Sequence, residues 1–261
     1  MSEDLVMYER YDASAILTIN RPEKLNAMDL PMIDALESAV DEAESDPEVR
    51  VLIFTGAGDR AFAAGGDIDD LNSRKGLSHY QQFAERIHQV FRKIELIDKP
   101  TIAAINGWAL GGGTELLLSI DIRLVARSAK LGLPEITLGL FPGAGGTQRL
   151  IRQIPLCRAK EIMFTGDHIS AEEAKYLGLV NRVIDDGDLM KEAKALAEVI
   201  SNKSPLTLKL LKRTIEEGAQ INLASALKLE QAMISLVMDS NDAHEGCSAF
   251  LDRRTPDFKG E

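Results

Sequence analysis

A chain of 261 residues can bury a sizeable core and fits one large domain or a domain with an appendage. Its 45% hydrophobic and 27% charged content is that of an ordinary globular protein, and its formal charge of −11 argues against nucleic acid or another polyanion as the main partner. No apolar run approaches the roughly 20 residues of a membrane helix, and the opening Met1-Ser2-Glu3-Asp4-Leu5-Val6 lacks the features of a signal or transit peptide. Cys157 and Cys247 stand far apart without a partner motif, so a reducing cytoplasm is the expected setting.

Taken in chain order, β-rich runs at residues 13–19 and 49–54 predict two strands. Between them a helix is expected from Asp29-Leu30-Pro31, with Ile33, Leu36 and Val40 at helical spacing. Ser78-x-x-Gln81 has the form of a capping box, and Tyr80, Phe83, Ala84, Ile87, Val90, Phe91 and Ile94 keep the 3.6-residue period of a long amphipathic helix. Short buried strands at 101–105 and 122–125 flank a glycine segment. Strand and helix thus alternate, which is an α/β order. From Ser170-x-x-Glu173 the balance changes, and after a last strand-like run at 179–184 the chain is almost wholly helical. The acidic turn Asp185-Asp186-Gly187-Asp188 marks the expected boundary between a body, 1–187, and a helical region, 188–261. Four helices are predicted there. Leu189, Ala193, Leu196 and Ile200 stripe the first; Ser204-Pro205 caps a second that stops at Gly218; Leu223, Leu227, Glu230, Ile234 and Val237 mark the third; Asp242 opens the fourth. Several apolar residues there lack a partner within the tail, so it is expected to pack on the body and on other subunits. No low-complexity segment or fixed-length repeat is present.

Two glutamates stand in unusual surroundings. Glu115 follows Gly111-Gly112-Gly113-Thr114 and precedes three leucines, and Glu135 lies between Leu133-Pro134 and Ile136. Both are expected to be buried, where a lone carboxylate is costly. Two of them in one cleft would hold a water between them, their pKa values driven apart by desolvation and repulsion. The segment from Asn106 to Glu115 follows a strand and opens a helix, so its free amides would receive an anion or a developing oxyanion. A second glycine turn, Ala61-Phe62-Ala63-Ala64-Gly65-Gly66-Asp67-Ile68, would offer another amide. Other readings stay open at this point: a glycine-rich turn also serves as a tight connection or a dinucleotide loop, and a glutamate at a helix start is often a cap. The spacing is not G-x-G-x-x-G, and no P-loop lysine follows it or Gly143-Ala144-Gly145-Gly146-Thr147. His79, His88, His168 and His244 show no ligand spacing, so no metal is implied, and no G-x-S-x-G elbow is present.

Several motifs together resemble the enoyl-CoA hydratase (crotonase) family. They are Asn20-Arg21-Pro22 with Leu25-Asn26-Ala27, the 61–68 turn, Lys99-Pro100 through Asp121, Leu133 to Gly139, Pro142 to Leu150, Phe164-Thr165-Gly166, and the closing Ala249-Phe250-Leu251 with Phe258. The resemblance implies a crotonase-like spiral of ββα units followed by a helical trimerisation region, with trimers or hexamers as the assembly. It implies an acyl-CoA thioester as substrate, with no cofactor or metal, and a carbonyl held by the amides of Gly66 and Gly112. Glu115 and Glu135 fill both positions that flank a water in the hydratase branch, which favours enoyl-CoA hydration over isomerisation and over a non-enzymatic binding role; a hydratase for a polar acyl group would share every motif and stays as the alternative. Substrate-binding positions carried over are Leu25, Ala27, Ala64, Asp67, Ile68, Trp108 and Gly143, whose amide would approach the water. Phe250 and Arg253 would reach a neighbour's coenzyme, the alternative being interface packing and surface charge. Gly66 stands where alanine is frequent, which would loosen the loop and remove a methyl from the thioester pocket. The stretch Asp69 to Gly76 is more polar than usual and would line the acyl tail, suiting a short or polar acyl group.

Overall fold

The computed structural model describes residues 4–73 and 75–261. Residues 1–3, part of the N-terminal reading, and Arg74, within the polar stretch at 69–76, lie outside the described residues.

β1 (Val6–Tyr11) and β2 (Ser14–Ile19) form an antiparallel hairpin, followed by α1 (Leu30–Ser45), which starts where Asp29 accepts a bond from the Met32 amide. The chain then lays down three similar units, each giving one strand to a large sheet and a short strand to a small one. The first is β3 (Val51–Gly56), β4 (Ala61–Ala63), α2 (Ile68–Ser73) and α3 (Leu77–Leu96). The second is β5 (Thr101–Ile105), β6 (Trp108–Leu110) and α4 (Gly112–Leu117). The third is β7 (Ile122–Ala126), β8 (Lys130–Gly132), a 3₁₀ turn over Pro134–Leu138, α5 (Gly146–Gln153) and α6 (Leu156–Thr165). β9 (Ile169–Ser170), α7 (Ala171–Tyr176) and β10 (Arg182–Ile184) complete both sheets. The large sheet runs β1-β2-β3-β5-β7-β10 and the small one β4-β6-β8-β9. This is the expected spiral of ββα units. β3 and β5 are buried along their whole length, so they read as continuous apolar runs rather than alternating ones.

Two differences from the sequence reading have local causes. α3 begins at Leu77 behind Gly76, with no side-chain cap, so Ser78 lies inside the first turn and the capping box does not form. α8 (Leu189–Ser201) lies across the large sheet with Leu189, Ala193 and Ala197 in the main core. This is the packing on the body expected of the helical region. Beyond α8 come α9 (Pro205–Gly218), α10 (Leu223–Met238) and α11 (Asn241–Asp252), capped by Ser204, Asn222 and Ser240. Asp242 does not open the last helix; it is buried and accepts from the Lys259 and Gly260 amides at 2.8 and 2.9 Å, which folds the C-terminal segment back. α10 buries none of its residues, and an apolar groove of about 470 Å³ runs between α9 and α10. No helix among the described residues is long and apolar enough to cross a membrane.

Candidate active site

The site forms where the strands of the small sheet end. Leu25 and Asn26 adopt left-handed backbone (φ 55° and 57°), a shape that turns the chain sharply after the 3₁₀ turn at Pro22–Lys24. Asn26 is fully buried: Nδ2 donates to the Ala57 and Ala61 carbonyls at 3.1 and 2.8 Å, and Oδ1 accepts from the Arg21 amide at 2.9 Å. The Leu25 carbonyl accepts from Ala64, and Met28 brackets Gly66 by pairing with Gly65 and Asp67. The carboxylate of Asp67 is bound to Arg21 (2.8 Å) and Lys24 (3.0 Å) and accepts from the Asp69 and Asp70 amides. It holds the turn and starts α2. Its pKa is lowered: burial opposes ionisation, but the Lys24 bond and the amides outweigh it.

This bracing corrects the expectation that Gly66 loosens the loop. A methyl at Gly66 would meet Leu71 Cδ1 at 3.2 Å, so the space it leaves lies against α2. Gly66 and Gly112 are near neighbours, since a Cβ on Gly112 would lie 3.7 Å from the Gly65 carbonyl carbon, which is bonded to the Gly66 nitrogen. Among the described residues neither of the two amides donates to a protein acceptor.

The three glycines of the second turn serve different ends. Gly111 takes φ 51°, ψ −124°, and a Cβ there would press on Glu135 Oε1 at 3.0 Å. Gly112 carries one of the unpaired amides. Gly113 is required for packing, since its Cβ would fall 1.9 Å from the Ala63 carbonyl oxygen.

One turn of α4 further on, Glu115 is 3% exposed. Its Oε1 accepts from the amides of Ala144 and Gly146 at 2.7 and 2.8 Å. Burial raises its pKa, and the two amides and the charge of Arg149 act in the opposite direction. Gly146 has no room for a side chain, since a Cβ would lie 2.9 Å from Glu115 Oε1.

Glu135 sits on the 3₁₀ turn, anchored by buried Leu133 and ended by Gly139 at φ 73°. Gly166, of the Phe164-Thr165-Gly166 motif, packs behind this turn, its would-be Cβ 3.1 Å from the methyls of Ile136 and Thr137. Oε2 is buried without a partner among the described residues. Burial pushes the carboxyl up to about 7, the charge of Glu115 adding to the shift. The structure therefore unites two carboxyl groups in mutual electrostatic reach with two unpaired amides. Such a set can share a proton across a bound water and stabilise a nearby oxyanion.

The other predicted positions divide. Leu25, Ala27, Ala64 and Ile68 belong to the braced turns around Gly66. Trp108 lies apart from the two glutamates. It stands at the N-terminal end of β6, 43% exposed, and lines a separate hollow with Asp59, Arg60 and Ser128, because the glutamates lie at the other end of the strands. Gly143 is exposed, and the amides that reach Glu115 are those of Ala144 and Gly146. Phe250, 83% exposed, and Arg253 lie at the C-terminal end of α11. Sequence reasoning also passed over the bracing by Asn26 and the arginine behind Glu115, Arg149, although both stand inside quoted motifs.

The model of the enoyl-CoA hydratase/isomerase family matches residues 9–261. The chain is similar to the short-chain-enoyl-CoA hydratase of Clostridium acetobutylicum, 39% identical over 249 residues and 95% of each chain. It is 43% identical to the probable enoyl-CoA hydratase of Bacillus subtilis over 95% of each. The solved structure of an enoyl-CoA hydratase from Bacillus anthracis, 38% identical, superposes with a TM-score of 0.95 over 98% of this chain and 100% of that one. With the spiral of ββα units, the match over nearly the whole length places this chain in the enoyl-CoA hydratase/isomerase family.

Proposed function

We propose that the protein is a hydro-lyase that adds water across the 2,3 double bond of an enoyl-CoA thioester and catalyses the reverse dehydration. The observation that carries this reading is the pair of unlike carboxyl groups: Glu115 held by two amides, Glu135 protonatable near neutral pH. The amides of Gly66 and Gly112 bind the thioester oxygen and draw electron density from C3, each donor contributing about 3 kcal/mol in the transition state. Glu115 orients the water and takes one of its protons as the C3–O bond forms. Glu135 gives its proton to C2. One proton enters the dyad and one leaves, so the pair is restored by exchange. The thioester is the electron sink, and the reaction needs no diffusible cofactor.

Crotonyl-CoA is the first substrate to try, since the Clostridium relative bears a short-chain name. Hydration removes the absorbance of the conjugated thioester. Formation of that absorbance from a 3-enoyl thioester, without hydration of crotonyl-CoA, would assign the chain to isomerisation instead.

The same proposal includes a trimer or hexamer. α10 buries nothing of its own, and Leu223, Leu227, Ile234, Leu236 and Met238 are exposed beside the apolar groove. In that assembly Phe250 packs against, and Arg253 pairs with, the coenzyme of a neighbour. Light scattering that gives a monomer at micromolar concentration refutes the assembly, and an unchanged KM in Arg253→Ala refutes the coenzyme contact. Both cysteines are exposed and free, which suits a reducing cytoplasm.

A further inference from the structure

The turn that grips Glu115 is itself gripped from behind. Arg149, in the first turn of α5, directs Nη1 at the Ala144 carbonyl (3.2 Å), and Ala144 is one of the two residues whose amides hold Glu115 Oε1. The rest of the guanidinium forks onto Glu95 near the C-terminal end of α3, Nε to Oε1 at 3.3 Å and Nη2 to Oε2 at 3.1 Å. The two side chains are only 14% and 18% exposed. Glu95 is fixed in turn by Arg92, whose Nη1 donates to Oε2 at 2.7 Å. Gly145 is shaped by this arginine: it takes φ 108°, and a Cβ there would fall 2.0 Å from Arg149 Nη1. Adjacent glycines thus clear space for two different groups, Gly145 for the guanidinium and Gly146 for the carboxylate.

We propose that Arg149, locked by Glu95, is a positioning residue: it braces the 143–146 turn so that the Ala144 and Gly146 amides stay aimed at Glu115 and hold it as the anion. The proposal rests on the reading of Glu115 as the carboxylate that activates water. Arg149 acts through the turn and through its charge. The charged neighbours are few. Glu115 faces Glu135 from the 3₁₀ turn and Arg149 from α5, while Arg123 of β7 is bonded at the far end of α4 to the Leu117 carbonyl. Around Glu95 lie Arg92, Arg149 and, from α9, Glu216, which burial and the charges of Glu95 and Asp121 raise and Lys212 and Arg92 oppose. Arg149 is therefore the positive charge that reaches Glu115, and Glu95 is the group that partly cancels it.

Removing the two partners should move Glu115 in opposite directions, which a merely structural pair would not do. The test is the pH dependence of kcat/KM with crotonyl-CoA in Arg149→Gln, Arg149→Lys and Glu95→Gln, each checked for native thermal unfolding. Arg149→Gln is expected to lower kcat about 10–100-fold with little change in KM, as small misplacements of a catalytic group do. Its acid limb should move up by about one pH unit, because a nearby positive charge has gone. Arg149→Lys keeps the charge, so the limb stays in place and part of kcat returns. Glu95→Gln should move the limb down. Acid limbs that coincide in Arg149→Gln, Glu95→Gln and the unaltered protein would overturn the proposal. Should Arg149→Gln not fold, the downward shift in Glu95→Gln decides alone. Glu115→Gln in the same series separates the two readings. Near-normal turnover there refutes the dyad itself, whereas an inactive Glu115→Gln beside unmoved limbs refutes the role of Arg149 alone.

Discussion

Glu115 and Glu135 are the same residue in two different settings. Glu115 stands on a helix, fully enclosed, with one oxygen bonded to two amides from another turn. Glu135 stands on a single 3₁₀ turn whose residues Ile136 and Leu138 are exposed, and one of its oxygens has no partner among the described residues. Amides that converge on an oxygen favour the charged carboxylate; burial without donors favours the neutral acid. The difference teaches that acid and base roles are assigned by backbone, because nothing in the side chains distinguishes them. The largest expected effect follows. Glu115→Gln and Glu135→Gln should each lower hydration by about two orders of magnitude or more, the loss expected when general acid–base catalysis is removed. Glutamine keeps an acceptor oxygen for the Ala144 and Gly146 amides, so fold and thioester binding should survive, as acyl-CoA titration can check. Near-normal turnover in either variant would break the comparison.

A methyl group probes the same contrast at smaller scale. Gly146→Ala would place a Cβ 2.9 Å from both Glu115 Oε1 and Pro142 Cβ, so the carboxylate must give way, and kcat should fall about 10-fold or more. Gly139 ends the turn that carries Glu135, with φ 73° and nothing within 4 Å of a would-be Cβ. Gly139→Ala should therefore cost about 1 kcal/mol of stability through backbone strain and leave kcat near normal. Parallel kinetics and thermal melts test this. Equal losses of kcat in both variants would show that Glu135 needs its turn as much as Glu115 needs its amides.

What the sequence disclosed follows the range of each signal. Local signals were legible: α1 starts at the expected Asp29-Leu30-Pro31, Ser204 caps its helix as expected, and the strand-forming runs at 13–19 and 49–54 overlap β2 and β3. The glutamates were legible because glycines and leucines surround Glu115, a pattern at odds with a surface carboxylate. The Ser78 box failed because a four-residue pattern does not fix where a helix starts, and Gly76 takes the cap position two residues earlier. That the helical region packs on the body was legible from its unpartnered apolar residues, but the stripe of α8 alone does not say which strands it covers. Trp108 adjoins the glycines in sequence, yet β6 carries it to the end of the small sheet away from the glutamates, a separation no local pattern discloses. The pairing of Arg149 with Glu95 spans 54 positions, beyond any local pattern.

The smallest expected effect lies in stability, and its sign separates a raised carboxyl from a lowered one. Burial, helped by the charge of Glu115, pushes the Glu135 carboxyl up to about 7 in the folded chain against 4.5 for the free group, so between about 4.5 and about 7 the native state binds more protons than the unfolded state. Stability should then fall as pH rises through that window, the opposite of a carboxylate such as Asp67, whose lowered pKa stabilises the fold above the acid range. Because Glu135 is partly open to solvent, the loss is on the order of 1–2 kcal/mol rather than the full shift. Glu135→Gln cannot ionise and should lose less stability than the unaltered protein between about pH 5 and about pH 8, as urea unfolding would measure. Some slope should remain, because Glu115 is raised as well, and Glu115→Gln/Glu135→Gln should be flatter still. Identical slopes in all three proteins would mean that the buried oxygen of Glu135 carries no proton in this range, and the division of roles between the two carboxyl groups would then need another cause.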